Sequence, residues 1–363
     1  MPIKIGIIGV GNCASSLLQG LEFYKDVGPK SPKVPGIMHN VLGGYKISDI
    51  KPVVAFDIDK RKVGKDLSEA AFSPPNCTIK FSNINKTGVI VKKGPILDGI
   101  TETTREMFLV DEKQKECDLV KEIRESGAEI MINYLPVGSE KATKAYVDAC
   151  LEARVAFINA IPVFVASDEK NAKLFENAGL PVLGDDIKSQ IGSTIIHRVL
   201  AKLFEDRGVQ LEHTYQLNVG GNTDFLNMID SRARLKSKKI SKTSAVQSQL
   251  EKELSAEDIH IGPSDYIPFL KDKKIGFIRM EGRKFGNVPM HLDIRLEVED
   301  SPNSAGVMID AIRCAKIALD RKLAGAIVGP SAYFFKHPPK QFSDYQAKKL
   351  VEEFVENKTQ KQA

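Results

Sequence analysis

The first apolar run of the chain, Ile3–Ile8 (IKIGII), is short and rich in β-branched residues, and it passes straight into the glycine turn GVGNCA and then the helix-forming stretch SSLLQGLEFY. A run of that length, closed by glycine, reads as a buried strand. The rhythm recurs. KPVVAFDIDK supplies a buried strand over Val53–Phe56, and AEIMINYLPVGS supplies another, followed by a helix through Ala153. VAFINAIPVF leads to a helix over Glu169–Ala178, and LPVLGDD leads to a long amphipathic helix within KSQIGSTIIHRVLAKLFEDRG. Strand, helix, strand at this spacing predicts an α/β fold with a doubly wound parallel sheet, whose ligands sit at the carboxyl ends of the strands.

After Gly208 the pattern changes. MHLDIRLEV (Met290–Val298) alternates strictly between apolar and polar positions, and KIGFIRMEG and TYQLNVGG read as its neighbours. They predict a second domain with a mostly antiparallel sheet. Ser301-Pro302 is expected to cap a long helix, with Pro302 at its first position, and Asp344–Glu356 to form the last helix. The final NKTQKQA reads as a frayed tail.

With 363 residues, 42% of them apolar and 27% charged, the chain has the composition of a soluble globular protein of two domains. Five scattered cysteines without a CxxC pair argue for a reducing compartment, so a cytoplasmic protein is expected. No apolar run reaches the roughly 18 residues of a membrane span. The six histidines show no ligand spacing, which leaves a zinc site little support.

Gly9-Val10-Gly11-Asn12-Cys13-Ala14 is the GxGxxA form of the dinucleotide fingerprint, set between a strand and a helix. Gly9 permits the tight turn, and Gly11 clears the approach of a pyrophosphate. Ala14 lets the helix pack close to the strand, while the helix start offers free N–H groups to phosphate oxygens. The acidic partner is Asp57 at the end of the second strand, 48 positions after Gly9 because a Pro/Gly-rich insertion intervenes. A carboxylate there favours the free 2′-hydroxyl of NAD over the 2′-phosphate of NADP, although Lys60, Arg61 and Lys62 follow closely. Asn133, Asn159, Asp185 and Asp186 fall at the carboxyl ends of later strands.

RARLKSKKISK, Arg232–Lys242, carries six cations and no carboxylate. A net charge of +5 is small for a nucleic-acid binder, and the run holds no aromatic residue, so a nucleic-acid partner is not expected. Lys238 and Lys242 are four apart, which on a helix puts both ammonium groups on one face, where each lowers the other's pKa.

NYLPVGSE (133–140), GDDIKSQ (184–190), LNVGGNTDFLN (217–227), SKKISKT (237–243), EDSPNSAGVMID (299–310) and SAYFFKHPP (331–339) together resemble the myo-inositol-1-phosphate synthases, in their shorter bacterial and archaeal branch. The resemblance covers nearly the whole chain. It implies a Rossmann domain, about 1–192 and 304–363, split by a catalytic and tetramerisation domain at about 193–303. It also implies NAD as cofactor, glucose 6-phosphate as substrate, no membrane partner and a homotetramer. A divalent or monovalent cation is left open. By the same resemblance Lys238 serves a sugar oxygen and a proton relay, Lys242 binds phosphate and the developing enolate, and Lys336 faces the aldehyde. Asp186 lies near the reacting centre, and Asp300 lies beside the lysines. Ser189 helps bind phosphate and Gln190 binds substrate, while Asn218 and Asn222 line the sugar site. Tyr134, Leu135, Pro136 and Ala160 join Gly9, Gly11, Asn12, Cys13, Ala14, Asp57, Asn133, Asn159 and Asp185 in the cofactor site. Arg232, Arg234, Lys236 and Lys239 are expected to be solvated.

Two departures stand out. The eukaryotic Lys-Ser-Gly-Gln-Thr becomes KSQIGST, which rebuilds the phosphate cradle. One further family lysine faces GPSDYI, with Asp265 where a cation is expected, and Lys271, Lys273 or Lys274 is left to fill the role. Without the resemblance, an ordinary NAD-linked dehydrogenase of a phosphorylated sugar or amino acid is the competing function.

Overall fold

The computed structural model describes residues 2–101, 104–230 and 232–357, without the side chains of residues 229–238. In chain order the elements are β1 (Ile3–Ile8), α1 (Asn12–Phe23), β2 (Val41–Leu42), β3 (Tyr45–Lys46), β4 (Ile50–Asp57), α2 (Leu67–Ala70), β5 (Lys92–Lys93), α3 (Leu119–Ser126), β6 (Ile130–Asn133), α4 (Glu140–Ala153), β7 (Ala156–Asn159), α5 (Glu169–Asn177) and β8 (Pro181–Leu183). There follow α6 (Ser193–Asp206), β9 (Gln210–Gly220), α7 (Thr223–Asp230), α8 (Arg232–Gln247), β10 (Ile259–Tyr266), β11 (Lys273–Lys284), β12 (Val288–Glu299), α9 (Asp300–Asp320), β13 (Gly325–Ala326), α10 (Val328–Phe334) and α11 (Asp344–Val355).

Seven strands form one sheet in the order β13-β8-β7-β6-β1-β4-β5, and every pairing in it is parallel. The chain order reverses at β1, whose neighbours are β4 on one side and β6 on the other, and a crevice opens at the carboxyl ends there. Strands buried on both faces need apolar helices on each. Leu17 of α1 and Met308 and Ile312 of α9 pack with Ile3, Ile5 and Ile7 on one face. Ile123 of α3, Val147 of α4 and Phe175 of α5 pack with Val54, Phe56 and Phe157 on the other.

The second sheet has the order β10-β9-β11-β12. β9–β11 and β11–β12 are antiparallel, as the alternation predicts, and β9–β10 is parallel. The reason is topological: α7 and α8 cross between β9 and β10, and a crossover returns the chain in the same direction. Ala201 and Phe204 of α6 and Val246 of α8 cover one face, against Ile278 and Met280. Tyr215 and Phe277 are exposed large side chains of this sheet.

Three local expectations change. The helix expected within 188–208 begins only at Ser193, because Ile187 and Lys188 are held extended against Phe335 and Phe334. Helix α9 begins at Asp300, with Glu299 as cap and Pro302 third in the helix. The Ser301 N–H and hydroxyl instead donate to the carboxylate of Asp272, so a distant acid satisfies the helix start that Ser301 was expected to cap. The insertion after α1 forms the β2–β3 hairpin and is tied to α9 by Arg313, which donates to the carbonyls of His39, Asn40 and Tyr45. The tail expectation for 358–363 lies outside the described residues.

His197 of α6 is fully buried, with Nε2 2.8 Å from the Thr214 hydroxyl and Nδ1 3.3 Å from Gln216 Oε1. Burial lowers its pKa from 6.5 to about 4. A depressed folded pKa gives stability that is present above pH 6.5 and lost as pH falls toward 4. Relative to His197→Gln, the unaltered protein should lose about 1.4 kcal/mol per pH unit within that window. Urea unfolding of both proteins at pH 7 and pH 5 checks the difference.

Candidate active site

A cavity opens at the carboxyl ends of β1, β4, β6 and β7 and runs under the second sheet. Its first wall is the glycine turn. Gly9 has φ +88°, and a Cβ there would lie 2.8 Å from the Tyr134 carbonyl, so the turn requires glycine. A Cβ on Gly11 would meet no protein atom within 4 Å: it would project into open space. Gly11, Asn12 and Cys13 line the cavity at the start of α1, which has no side-chain cap and no acid in its first turn. That combination of a bare turn and uncapped helix N–H groups suits a pyrophosphate.

The turn is braced from behind. The Val10 N–H donates to Asp57 Oδ2 at 2.8 Å, while the Val10 carbonyl accepts from Lys62 Nζ at 2.9 Å and Asn76 Nδ2 at 3.0 Å. Asp57 lines the cavity and also accepts from the N–H groups of Ile58 and Asp59. Of the three cations that left NADP open, Arg61 is bound to Asp59 and the Met107 carbonyl, and Lys62 points inward to Val10 and Asn76. Only Lys60 of the three is exposed.

Tyr134, Leu135, Pro136 and Ala160 also line the cavity. Asn133, Asn159 and Asp185 are not among its lining residues; they form a fully buried polar chain behind it. Asn133 Nδ2 donates to Asn159 Oδ1 at 2.9 Å, and Asn159 Nδ2 donates to Asp185 Oδ1 at 2.7 Å. The Asp185 carboxylate accepts from the N–H groups of Val165, Ala166 and Ser167 and from the Ser167 hydroxyl. Burial raises its pKa to about 6. These three residues shape the wall rather than present themselves in it, and Ala14, buried in α1, does the packing expected of it.

Asp186 turns the other way, with φ +61°, a left-handed conformation that Asp tolerates better than most residues. It is 1% exposed and lines the cavity. Its Oδ1 accepts from Lys336 Nζ at 2.8 Å and its Oδ2 from the Ser241 hydroxyl at 2.7 Å. A backbone ladder sets this meeting: Asp185 N–H donates to the His337 carbonyl, Lys336 N–H to the Asp186 carbonyl and Lys188 N–H to the Phe334 carbonyl. Lys242, one residue beyond Ser241 on α8, is 3% exposed and also lines the cavity. Lys238 lies four residues earlier on the same helix, but its side chain, like those of Arg232, Arg234 and Lys236, lies outside the described residues. Lys239 is exposed.

Of Lys271, Lys273 and Lys274, one reaches the cavity wall. Lys274 lines the cavity, and its Nζ is 2.9 Å from Asp300 Oδ1; Asp300 lines the cavity too. Lys273 is exposed and pairs with Glu297. The alternation of β11 held this signal: Lys274 shares its face with Gly276, Ile278 and Met280, all buried. Asp272, absent from the sequence reading, is fully buried and accepts from Asn222 Nδ2 and Ser301. Burial first, then the charge of Asp300, raises its pKa to about 6. Asn222 lines the cavity and accepts from the Asp224 and Phe225 N–H groups at the start of α7. Asn218 lines it and donates to the Gly262 carbonyl.

Ser189 lines the cavity and Gln190 does not: its amide donates to the Gly36 carbonyl. Gly192, Ser193, Thr194 and Ile195, the start of α6, take that place. The Ser193 hydroxyl is buried without a protein hydrogen-bond partner. A Cβ on Gly276 would lie 2.0 Å from it, so β11 leaves room for this hydroxyl only because residue 276 is glycine. Among the described residues, no three His, Cys, Asp or Glu side chains are grouped to hold a metal ion. No described helix is long and apolar enough to cross a membrane.

Fold and cavity together define an enzyme of the dinucleotide-binding α/β class, with a lysine-rich chamber suited to an anionic substrate. A family model for myo-inositol-1-phosphate synthase matches residues 192–301. The inositol-3-phosphate synthase of Mycobacterium tuberculosis H37Rv is 53% identical over 97% of this chain and 95% of its own. That of Corynebacterium glutamicum is 51% identical over 97% and 98%. The crystal structure of a myo-inositol-1-phosphate synthase-related protein from Thermotoga maritima superposes with a TM-score of 0.77 at 25% identity, covering 98% of this chain and 99% of the other. The chain belongs to the myo-inositol-1-phosphate synthase family.

Asn159→Ala removes the donor that joins Asp185 to the 161–163 loop. A buried carboxylate left short of a donor should lower the unfolding free energy by about 2 kcal/mol or more. Denaturant titration against the unaltered protein measures it.

Proposed function

We propose that the chain converts D-glucose 6-phosphate to 1D-myo-inositol 3-phosphate. The observation that carries this reading is the meeting of the glycine turn with Lys242, Lys274 and Lys336, and with Asp186 and Asp300, in one cavity. Bound NAD would supply reversible hydride exchange at C5 of the sugar, so substrate and product are isomers and no net oxidation remains. The bare turn at Gly11, the N–H groups at the start of α1 and Asp57 are the residues that fit this cofactor, with Asp57 accepting from the adenosine ribose.

The protein's part is to hold charge where oxygen becomes negative and to move protons. The substrate phosphate sits at the start of α6, where the Ser193 hydroxyl, helix N–H groups and Lys242 converge on a dianion. Lys336, paired with Asp186, faces the C1 aldehyde and gives a proton to the alkoxide formed as C6 attacks C1; the proton released from C6 on enolisation restores it. Lys274, held by Asp300, stabilises the enolate oxygen on C5 with Lys242. Lys238 accepts and returns the C5 hydroxyl proton, a role that rests on family resemblance alone. Residues 1–192 and 304–363 supply the cofactor half and 193–303 the catalytic insertion. A cytoplasmic homotetramer completes the reading, supported by five unpaired cysteines and by Tyr215 and Phe277 exposed on the second sheet.

Incubation with NAD and glucose 6-phosphate, followed by phosphorus NMR and by NADH absorbance, tests the function. Inositol phosphate should accumulate over many turnovers per NAD without free NADH; stoichiometric NADH release would make the protein a dehydrogenase instead. A second measurement addresses the lysines. Lys242→Met and Lys274→Met should each lose on the order of a hundredfold in turnover. Lys239→Met and Lys273→Met, whose side chains are exposed, should keep most of it.

A further inference from the structure

Arg198 lies in the middle of α6, is fully buried and does not line the site cavity. Its guanidinium makes four bonds. Nε donates to Asp344 Oδ2 at 3.0 Å, Nη1 to the Ala245 carbonyl at 2.9 Å and to Gln341 Oε1 at 3.1 Å, and Nη2 to the Phe342 carbonyl at 2.7 Å. The acceptors belong to two segments that are distant in sequence, and each carries a lysine of the site. Ala245 is one helical turn beyond Lys242, and its carbonyl is among the last of α8, where helix carbonyls lack internal partners. Residues 341–344 follow Lys336, and Gln341 Nε2 donates back to the Lys336 carbonyl at 2.7 Å. A third connection leads to Asp186: Asp344 Oδ1 lies 3.4 Å from the Nζ of Lys188, which also donates to the Ala332 carbonyl.

We propose that Arg198 is a positioning residue for the reaction, fixing α8, with Lys242 and Ser241, against the segment that carries Lys336. The Asp186 carboxylate needs both at once, since Ser241 occupies one oxygen and Lys336 the other. A planar fork of five donors can span four acceptors in fixed directions; a lysine ammonium with three donors on a flexible stem cannot. Arg198→Lys therefore keeps the buried charge and loses the geometry. A displacement of about 1 Å in a catalytic group costs on the order of a hundredfold in rate. The inference rests on Lys242 and Lys336 being catalytic, as proposed above.

The test uses full-length Arg198→Lys, Gln341→Leu and Lys336→Met, with NAD titrations counting folded sites in each. Arg198→Lys should bind NAD within about twofold of the unaltered affinity, while kcat per folded site falls at least about tenfold and KM for glucose 6-phosphate moves less than kcat. Gln341→Leu leaves the Arg198–Asp344 pair in place and cuts only the link to Lys336; it should lower kcat in the same direction, and it decides the matter if Arg198→Lys does not fold. Fewer NAD sites with full kcat per site would mean a merely structural arginine and would overturn the proposal. An inactive Lys336→Met beside fully active Arg198→Lys and Gln341→Leu enzymes overturns the positioning role alone. A fully active Lys336→Met enzyme overturns the catalytic reading and the positioning role with it.

Discussion

Charges buried between the two sheets have to be compensated where they stand, and that requirement joins the parts of the molecule. An isolated ion in such a place costs several kcal/mol of lost hydration. Its partner is therefore held close, and in this fold the partner comes from far along the chain. Asp186 meets Lys336 and Ser241, Lys274 meets Asp300, and Arg198 meets Asp344 and Gln341. Each pairing ties the first sheet, the inserted sheet or the closing helices to one another. The same pairings leave cations at the wall of the one chamber that the glycine turn also faces.

That arrangement explains how a dinucleotide fold serves a reaction with no net oxidation. The strand-order reversal at β1 gives the crevice its place, and the second sheet closes the crevice with lysines and asparagines. A helix start with a buried, unpartnered hydroxyl lines the same chamber. Four acids at or behind the wall divide into two kinds. Asp186 and Asp300 face the cavity and hold lysines, whereas Asp185 and Asp272 are turned into the protein and hold backbone. Burial pushes both of the latter up to about 6, so these structural acids carry a cost of leaving water.

Much of this was legible in order along the chain. The strand–helix rhythm, the turn at Gly9–Ala14 and the alternation of β11 and β12 are local patterns, set by the period of each element and by the few residues a tight turn accepts. Even Lys274 could have been chosen over Lys273 by counting inward positions along β11 from Gly276 and Ile278. Resemblance in several separated motifs added the chemistry, which no single motif carried.

What the sequence by itself determined was therefore the elements, their approximate limits and the residue types available for the site. Tertiary structure alone decided which of them face the cavity. Asp185 and Asp186 are adjacent, yet a left-handed turn sends one carboxylate inward and the other into the chamber. Gln190 is drawn away by the Gly36 carbonyl, and Ser193 takes the place at the start of a helix that begins later than its apolar pattern suggests. Ser301 gives up its expected cap because the Asp272 carboxylate, 29 residues earlier, reaches its N–H and hydroxyl. The physical reason is common to all three. A side chain's direction follows from hydrogen bonds and packing with partners far away in sequence, and a local pattern contains no information about where those partners lie.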